Sequence, residues 1–296
     1  MSFFTNRMKT LREYIKEAKE KGVAIGHFNI SNIEALHGIY NAAKKLNLPI
    51  IIGVSEGEEE FIGRNEVAAL ISTIRKNDNY PIFLNADHHY TFESVKAALD
   101  AGYDAAIIDA VTLPLEENIA LTKKCVDYAK ELNQKEGRDI LIEAELGFIG
   151  QSSKLLDAIP DGVSEATMTT PEDAKYFVEQ TGINLIAPSV GNIHGMVKGG
   201  NPKLNINRIK EISDACGVPL VLHGGSGIRD EDFKEAIASG ISIVHINTEI
   251  RVAYKDALGK YLSEFPNEVA PYKILKPAVL AIEQVVEARL KLFNGL

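Results

Sequence analysis

The chain has 296 residues and carries 41 Asp+Glu against 32 Lys+Arg, a formal charge of −9. That balance excludes nucleic acid and anionic membrane surfaces, both of which call for a basic face. With 45% hydrophobic and 25% charged residues the composition is that of a soluble globular protein. No apolar run reaches the roughly 18 residues of a membrane helix, and residues 1–22 interleave charges with apolar residues, unlike a signal peptide. A cytoplasmic location is therefore expected, with Cys125 and Cys216 as buried, reduced thiols that match no metal spacing.

In chain order, eight short runs rich in Val and Ile recur at 23–30, 49–54, 81–86, 105–110, 140–146, 185–190, 218–222 and 242–246. Being apolar on both faces, they read as parallel strands covered by helices. Segments such as 92–101, 116–132, 171–181 and 230–239 separate them and show apolar residues at intervals of three and four, the period of amphipathic helices. Thr91 and the Pro171-Glu172-Asp173 start supply helix N-terminal chemistry. Strand follows strand along the whole chain, with no linker-like stretch between them. The pattern predicts an α/β fold, one (β/α)8 barrel over 1–296 with a C-terminal helical extension.

Working residues of such barrels sit at the C-terminal ends of strands. Of seven histidines, five fall at or near those ends: His88 and His89 after the third run, His194 after the sixth, His223 after the seventh and His245 in the eighth. Three imidazoles with an open fourth position form a catalytic zinc site, and His88, His194 and His223 are the candidates. Asp87, beside His88, is placed for proton transfer. Asp109 and Glu145, ending the fourth and fifth runs, offer a second cation position or a structural ion pair. Glycines at 195, 199, 200, 224, 225 and 227, followed by Asn247-Thr248 at the start of a helix, suit a phosphate cradle.

These residues resemble the class II fructose-bisphosphate aldolase family, in particular its shorter branch that includes tagatose-bisphosphate aldolases. The resemblance runs through Gly26-His27-Phe28-Asn29, Val54-Ser55-Glu56-Gly57, Asp87-His88, Ile108-Asp109, Glu143-Ala144-Glu145-Leu146-Gly147, Gly191-Asn192-Ile193-His194-Gly195, Leu222-His223-Gly224-Gly225-Ser226-Gly227 and Asn247-Thr248-Glu249. It implies zinc on His88, His194 and His223, with Asp87 as the acid that moves the proton. It also implies a second cation near Asp109 and Glu145, and a phosphate surrounded by Gly195, Lys198, Gly224, Ser226 and Thr248 with a monovalent cation, Na+ or K+, nearby. Asn29 and Ser55 match substrate-contacting positions. Arg251 matches an arginine that reaches a neighbouring subunit's site for the distal phosphate, which implies a homodimer or homotetramer. The implied reaction is reversible cleavage of a ketose 1,6-bisphosphate to dihydroxyacetone phosphate and glyceraldehyde 3-phosphate, the carbanion being stabilised as an enediolate.

Departures from the family pattern fall where the rest of the substrate would lie. His89-Tyr90 follows Asp87-His88 where a glycine is usual, and Val111-Thr112 replaces a Ser followed by His or Lys. The loop from Gly150 lacks the usual acid-rich run, His245 replaces an asparagine, and Met196-Val197 precedes Lys198 where a tyrosine is usual. His89, Val111 and His245 are thus candidate specificity positions. Three accounts follow: a divergent sugar-bisphosphate aldolase, an aldolase for another phosphorylated ketose or keto acid, and a non-catalytic paralogue that binds metal and phosphate.

Overall fold

A computed structural model describes residues 8–150 and 153–296. Part of the N-terminal stretch read above, and Gln151 and Ser152 of the loop after Gly150, lie outside the described residues. The strands are β1 (Ile25–Asn29), β2 (Ile50–Ser55), β3 (Ile82–His89), β4 (Ala105–Ile108), β5 (Leu141–Leu146), β6 (Leu155–Leu156), β7 (Leu185–Pro188), β8 (Met196–Val197), β9 (Leu220–Leu222) and β10 (Ile241–Ile246). Eight of them close a parallel barrel in the order β1-β2-β3-β4-β5-β7-β9-β10, each of the eight expected runs supplying one strand. β6 and β8 form a separate two-stranded ladder in the loops. They are too short to show in a hydrophobic pattern.

Helices fill the connections. Those over Phe92–Asp100, Leu115–Glu136, Pro171–Thr181 and Asp230–Ala238 match the periodic segments within a few residues. The Thr91 hydroxyl accepts from the Ser94 amide and the Thr170 hydroxyl from the Asp173 amide, both at 3.1 Å, satisfying two donors that the first turn leaves open. The C-terminal helix Lys276–Asn294 lies against the helix Ile33–Leu46. A Cβ on Gly38 would meet the Val279 carbonyl at 2.8 Å, so the close approach depends on that glycine.

Inside the barrel, side chains alternate along each strand, and the inward set changes character from bottom to top. Ile25, Ile51, Phe83, Ala105, Leu141, Leu185, Val221 and Ile243 form an apolar layer, plugged from below by Leu11, Ile15 and Ala18 of the helix Leu11–Lys21. Two residues further along several strands the inward positions become His27, Asn85, Glu143, His223 and His245, all buried. Two further again they are Asn29, Ser55, Asp87, Asp109 and Glu145. The apolar layer and the packing of helices on the outer face hold the barrel shut, leaving the upper interior free to be polar. Both cysteines are buried and free, and no helix among the described residues is long and apolar enough to cross a membrane.

Candidate active site

One alteration in backbone geometry builds the site. His88 has φ +48°, in the left-handed region that a residue with a Cβ rarely adopts. The ladder between β3 and β4 shifts register between Ala86 and His89 at the same place. Strict alternation would send His88 outward. With this kink Asp87 and His88 both face the cavity at the barrel mouth, and the next residue, His89, turns away.

His88, His194 and His223 come together, one ring nitrogen of each lying within 4.8 Å of the others. His88 packs edge-on against both partners, with centroids 4.7 Å from His194 and 4.9 Å from His223. His194 does not end a barrel strand. It lies in the loop before β8, six residues beyond the end of β7. There its amide donates to the Ile149 carbonyl at 2.9 Å, which anchors the loop over the mouth.

Each imidazole has one nitrogen engaged by the protein. His88 Nδ1 faces Asp109 at 2.9 Å and Glu145 at 3.5 Å, His194 Nδ1 donates to the Gly150 carbonyl at 2.8 Å, and His223 Nε2 meets the Glu143 carboxylate at 2.7 Å. The remaining nitrogen of His223, Nδ1, is buried without a hydrogen-bond partner among the described residues. Engagement of one nitrogen fixes ring orientation and tautomer, leaving the other as a ligand, which is how histidines are set for metal. The residues present therefore fit a divalent ion.

The electrostatics agree. Burial disfavours charge on His88, but the carboxylates of Asp87, Asp109 and Glu145 outweigh it and push the imidazole up to about 10. Burial, reinforced by His88 and His223, takes His194 down to about 3. Burial raises Glu145 to about 7. Without an ion the site would draw a proton onto His88, in a place where the surrounding carboxylates call for positive charge.

Asp87 stands beside this group. Its Oδ2 accepts from the Asn29 amide at 2.6 Å, and its Oδ1 lies 3.8 Å from His88 Nε2 and 3.6 Å from His245 Nδ1. Burial opposes its ionisation, yet His88, His245 and His27 hold the carboxyl well below the usual range, so it is ionised at neutral pH. Behind it His223, His245 and His27 form a stack, with centroid separations of 4.1 Å and then 3.5 Å. The missing Cβ of Gly53 makes room for the last ring, since a methyl there would lie 2.1 Å from His27 Cε1.

The cavity, of about 230 Å³, is also lined by Asn29, Ser55, Asp109, Gly195, Gly224, Ser226, His245, Asn247, Thr248 and Arg251. Gly224 has φ +60°, and a Cβ would fall 2.0 Å from the Ile193 carbonyl, so the turn requires glycine. Ser226 Oγ accepts from the amides of Asn247 and Glu249 at 3.3 and 3.1 Å, tying this turn to the N-terminus of the helix Thr248–Glu264. Backbone amides and a helix start converge there, which suits an anion.

Three expected residues lie elsewhere. His89 is fully buried behind the sheet under the helix Glu56–Ile62, with Nε2 3.7 Å from Glu59, and does not touch the cavity. Tyr90 lines the cavity instead. Val111 is also outside the lining, its amide turned to Asp109 at 3.4 Å. Lys198 is exposed and pairs with Asp157 at 2.6 Å. Residues not singled out from sequence include Glu143, Asn85, His27, Glu58 and Ser153. For Glu143, Asn85 and His27 a signal existed: each precedes a mouth residue by two on its strand, and polar residues at inward positions are rarely idle.

The fold finds its counterpart in comparison with known proteins. The family model described as fructose-bisphosphate aldolase class-II matches residues 9–295. The chain belongs to the class II fructose-bisphosphate aldolase family. Fructose-bisphosphate aldolase of Staphylococcus aureus is 37% identical over 288 residues, covering 96% of each chain. That of Geobacillus stearothermophilus is 37% identical over 291 residues, covering 97% of this chain and 96% of its own. The solved structure of the YdjI aldolase from Escherichia coli K12 superimposes with a TM-score of 0.80 at 31% identity, covering 96% of each chain. A putative fructose-1,6-bisphosphate aldolase from Coccidioides immitis gives 0.79 at 27%, covering 98% of this chain and 96% of its own. Membership of this family makes the chain a carbon–carbon lyase, and the family is generally metal-dependent.

Proposed function

We propose that this aldolase reversibly cleaves a ketose 1,6-bisphosphate, fructose or tagatose bisphosphate, to dihydroxyacetone phosphate and glyceraldehyde 3-phosphate, with zinc on His88, His194 and His223. The single observation carrying the proposal is the convergence of three imidazoles, each held by its other nitrogen, beside the buried carboxylate of Asp87. Zinc bound there supplies Lewis acidity to the ketone carbonyl and adjacent hydroxyl, the charge stabilisation that breaking the C3–C4 bond demands.

The protein's own groups do the rest. Asp87, oriented by the Asn29 amide, takes the C4 hydroxyl proton in cleavage and returns it in condensation. The amides around Gly195 and Gly224, with Ser226, Asn247 and Thr248, hold the phosphate of the three-carbon half, with a monovalent cation near them. Ser55 and Arg251 face the remainder of the sugar. Asp109 and Glu145 orient His88 and offer a second cation position. By this reading residues 1–296 work as one barrel unit in the cytoplasm, as a homodimer or homotetramer. A cleavage assay on fructose and tagatose 1,6-bisphosphates, with and without chelator, tests it. Chelator-sensitive release of dihydroxyacetone phosphate supports it, and no release from either sugar by the metal-loaded protein refutes it.

A further inference from the structure

Among the described residues lining the cavity, Arg251 is the only lysine or arginine. It is not a free charge. Its Nη2 donates to Oε1 of Glu58 at 2.5 Å, and its Nη1 reaches the Ser153 carbonyl at 3.4 Å. Glu58 is only 6% exposed. Its other oxygen, Oε2, accepts from the Asn29 side-chain amide, the Ser55 amide and the Ser55 hydroxyl, each at 2.9 Å. Glu58 is therefore a fully engaged buried carboxylate, and removing its arginine would leave it uncompensated.

The two ends of the cavity then differ. One end binds anions through glycine-loop amides and a helix start, with no side-chain cation required. The other presents an arginine already neutralised, and Lys198 gives no help because it pairs with Asp157 outside the lining. A second phosphate approaching Arg251 meets the negative charge of Glu58 at the same spot. Sugar hydroxyls, which both donate and accept, suit such a pair without having to break it.

We propose that Glu58 is a specificity-determining residue that holds Arg251 as its counter-ion, so that a ketose 1-phosphate with an uncharged polyhydroxy tail binds about as well as a 1,6-bisphosphate. The proposal rests on the aldolase reading above and widens its substrate class to ketose 1-phosphates. Glutamine at position 58 is the discriminating change. Its carbonyl oxygen can keep the three donors from Asn29 and Ser55, while its amide faces Arg251 and cannot accept, which releases the guanidinium to the ligand.

The test uses the metal-loaded full chain. Calorimetry compares a hexitol 1-phosphate with the matching hexitol 1,6-bisphosphate, which lack the ketone and are not cleaved, and a parallel assay follows cleavage of the corresponding ketose phosphates. In the wild-type chain the two affinities should differ by less than about fivefold, the range of a weak surface ion pair. Glu58→Gln should move the ratio about tenfold toward the bisphosphate, the worth of one charge-assisted hydrogen bond. Arg251→Gln leaves Glu58 without its counter-ion and should carry the ratio from near parity toward the monophosphate, a starting point and direction that serve as the test if Glu58→Gln does not fold. A wild-type preference for the bisphosphate well beyond that range, abolished by Arg251→Gln, overturns the proposal, as does an unmoved ratio in folded Glu58→Gln. If the hexitol ratios follow expectation while neither ketose is cleaved, the aldolase substrate reading fails and the role of Glu58 stands.

Discussion

The carboxylate of Glu143 lies 2.7 Å from Nε2 of His223, and both groups are buried in the barrel interior. The contact leaves Nδ1 of His223 as the nitrogen available to the shared position between His88 and His194. Glu143→Gln should therefore keep the fold yet lower metal affinity by about 10–100-fold, the usual effect of losing the partner that orients a ligand. Competition with a chelating dye measures it. Unchanged affinity would mean that His223 is oriented by packing alone.

His194→Ala should lose metal and activity together, since two imidazoles make a poor site for a divalent ion. Elemental analysis of the purified variant, set beside its turnover, checks this. A variant that kept its metal would transfer the ligand role to another group.

Asp87→Ala should retain metal while turnover falls by roughly 10²–10⁴, the usual worth of a positioned acid or base. Metal content separates this outcome from the alternative in which Asp87 is itself a ligand.

The metal-free protein should respond to pH in a defined direction. His88 is raised from 6.5 in the unfolded chain to about 10 in the fold, its burial being outweighed by Asp87, Asp109 and Glu145. A raised imidazole contributes stability that is fully present below the unfolded pKa and is lost as pH rises through the folded one. Melting temperature of chelated protein should accordingly fall between about pH 6.5 and 10, and a His88→Gln variant should show a weaker fall. Metal affinity should rise over the same window, because the ion displaces that proton.

Gly53→Ala should cost about 1–3 kcal/mol, because its methyl would overlap the His27 ring, which is itself stacked on His245. Adding His27→Ala should recover much of that loss. Denaturant melts of the single and double variants give the coupling directly, and additive costs would place the strain elsewhere.

The strand-and-helix alternation, the single barrel and the gathering of Asp87, His88, His223 and the glycine turns toward one rim are all legible along the chain. Those features are written in local periodicity and in which residue types end each run, and neither depends on distant contacts. The rest depends on contacts between distant parts of the chain. The left-handed backbone at His88 brings two adjacent side chains to the cavity and sends His89 behind the sheet, against the alternation that an extended strand implies. Barrel closure stacks His27 from β1 on His245 from β10 and sets Glu143 against His223. Arg251, a lone positive charge in the sequence, becomes half of a pair with Glu58 once a helix 193 residues away in the chain is folded beside it. Charge, tautomer and partner are properties of side chains from different strands held at fixed distances, and only register and closure set those distances.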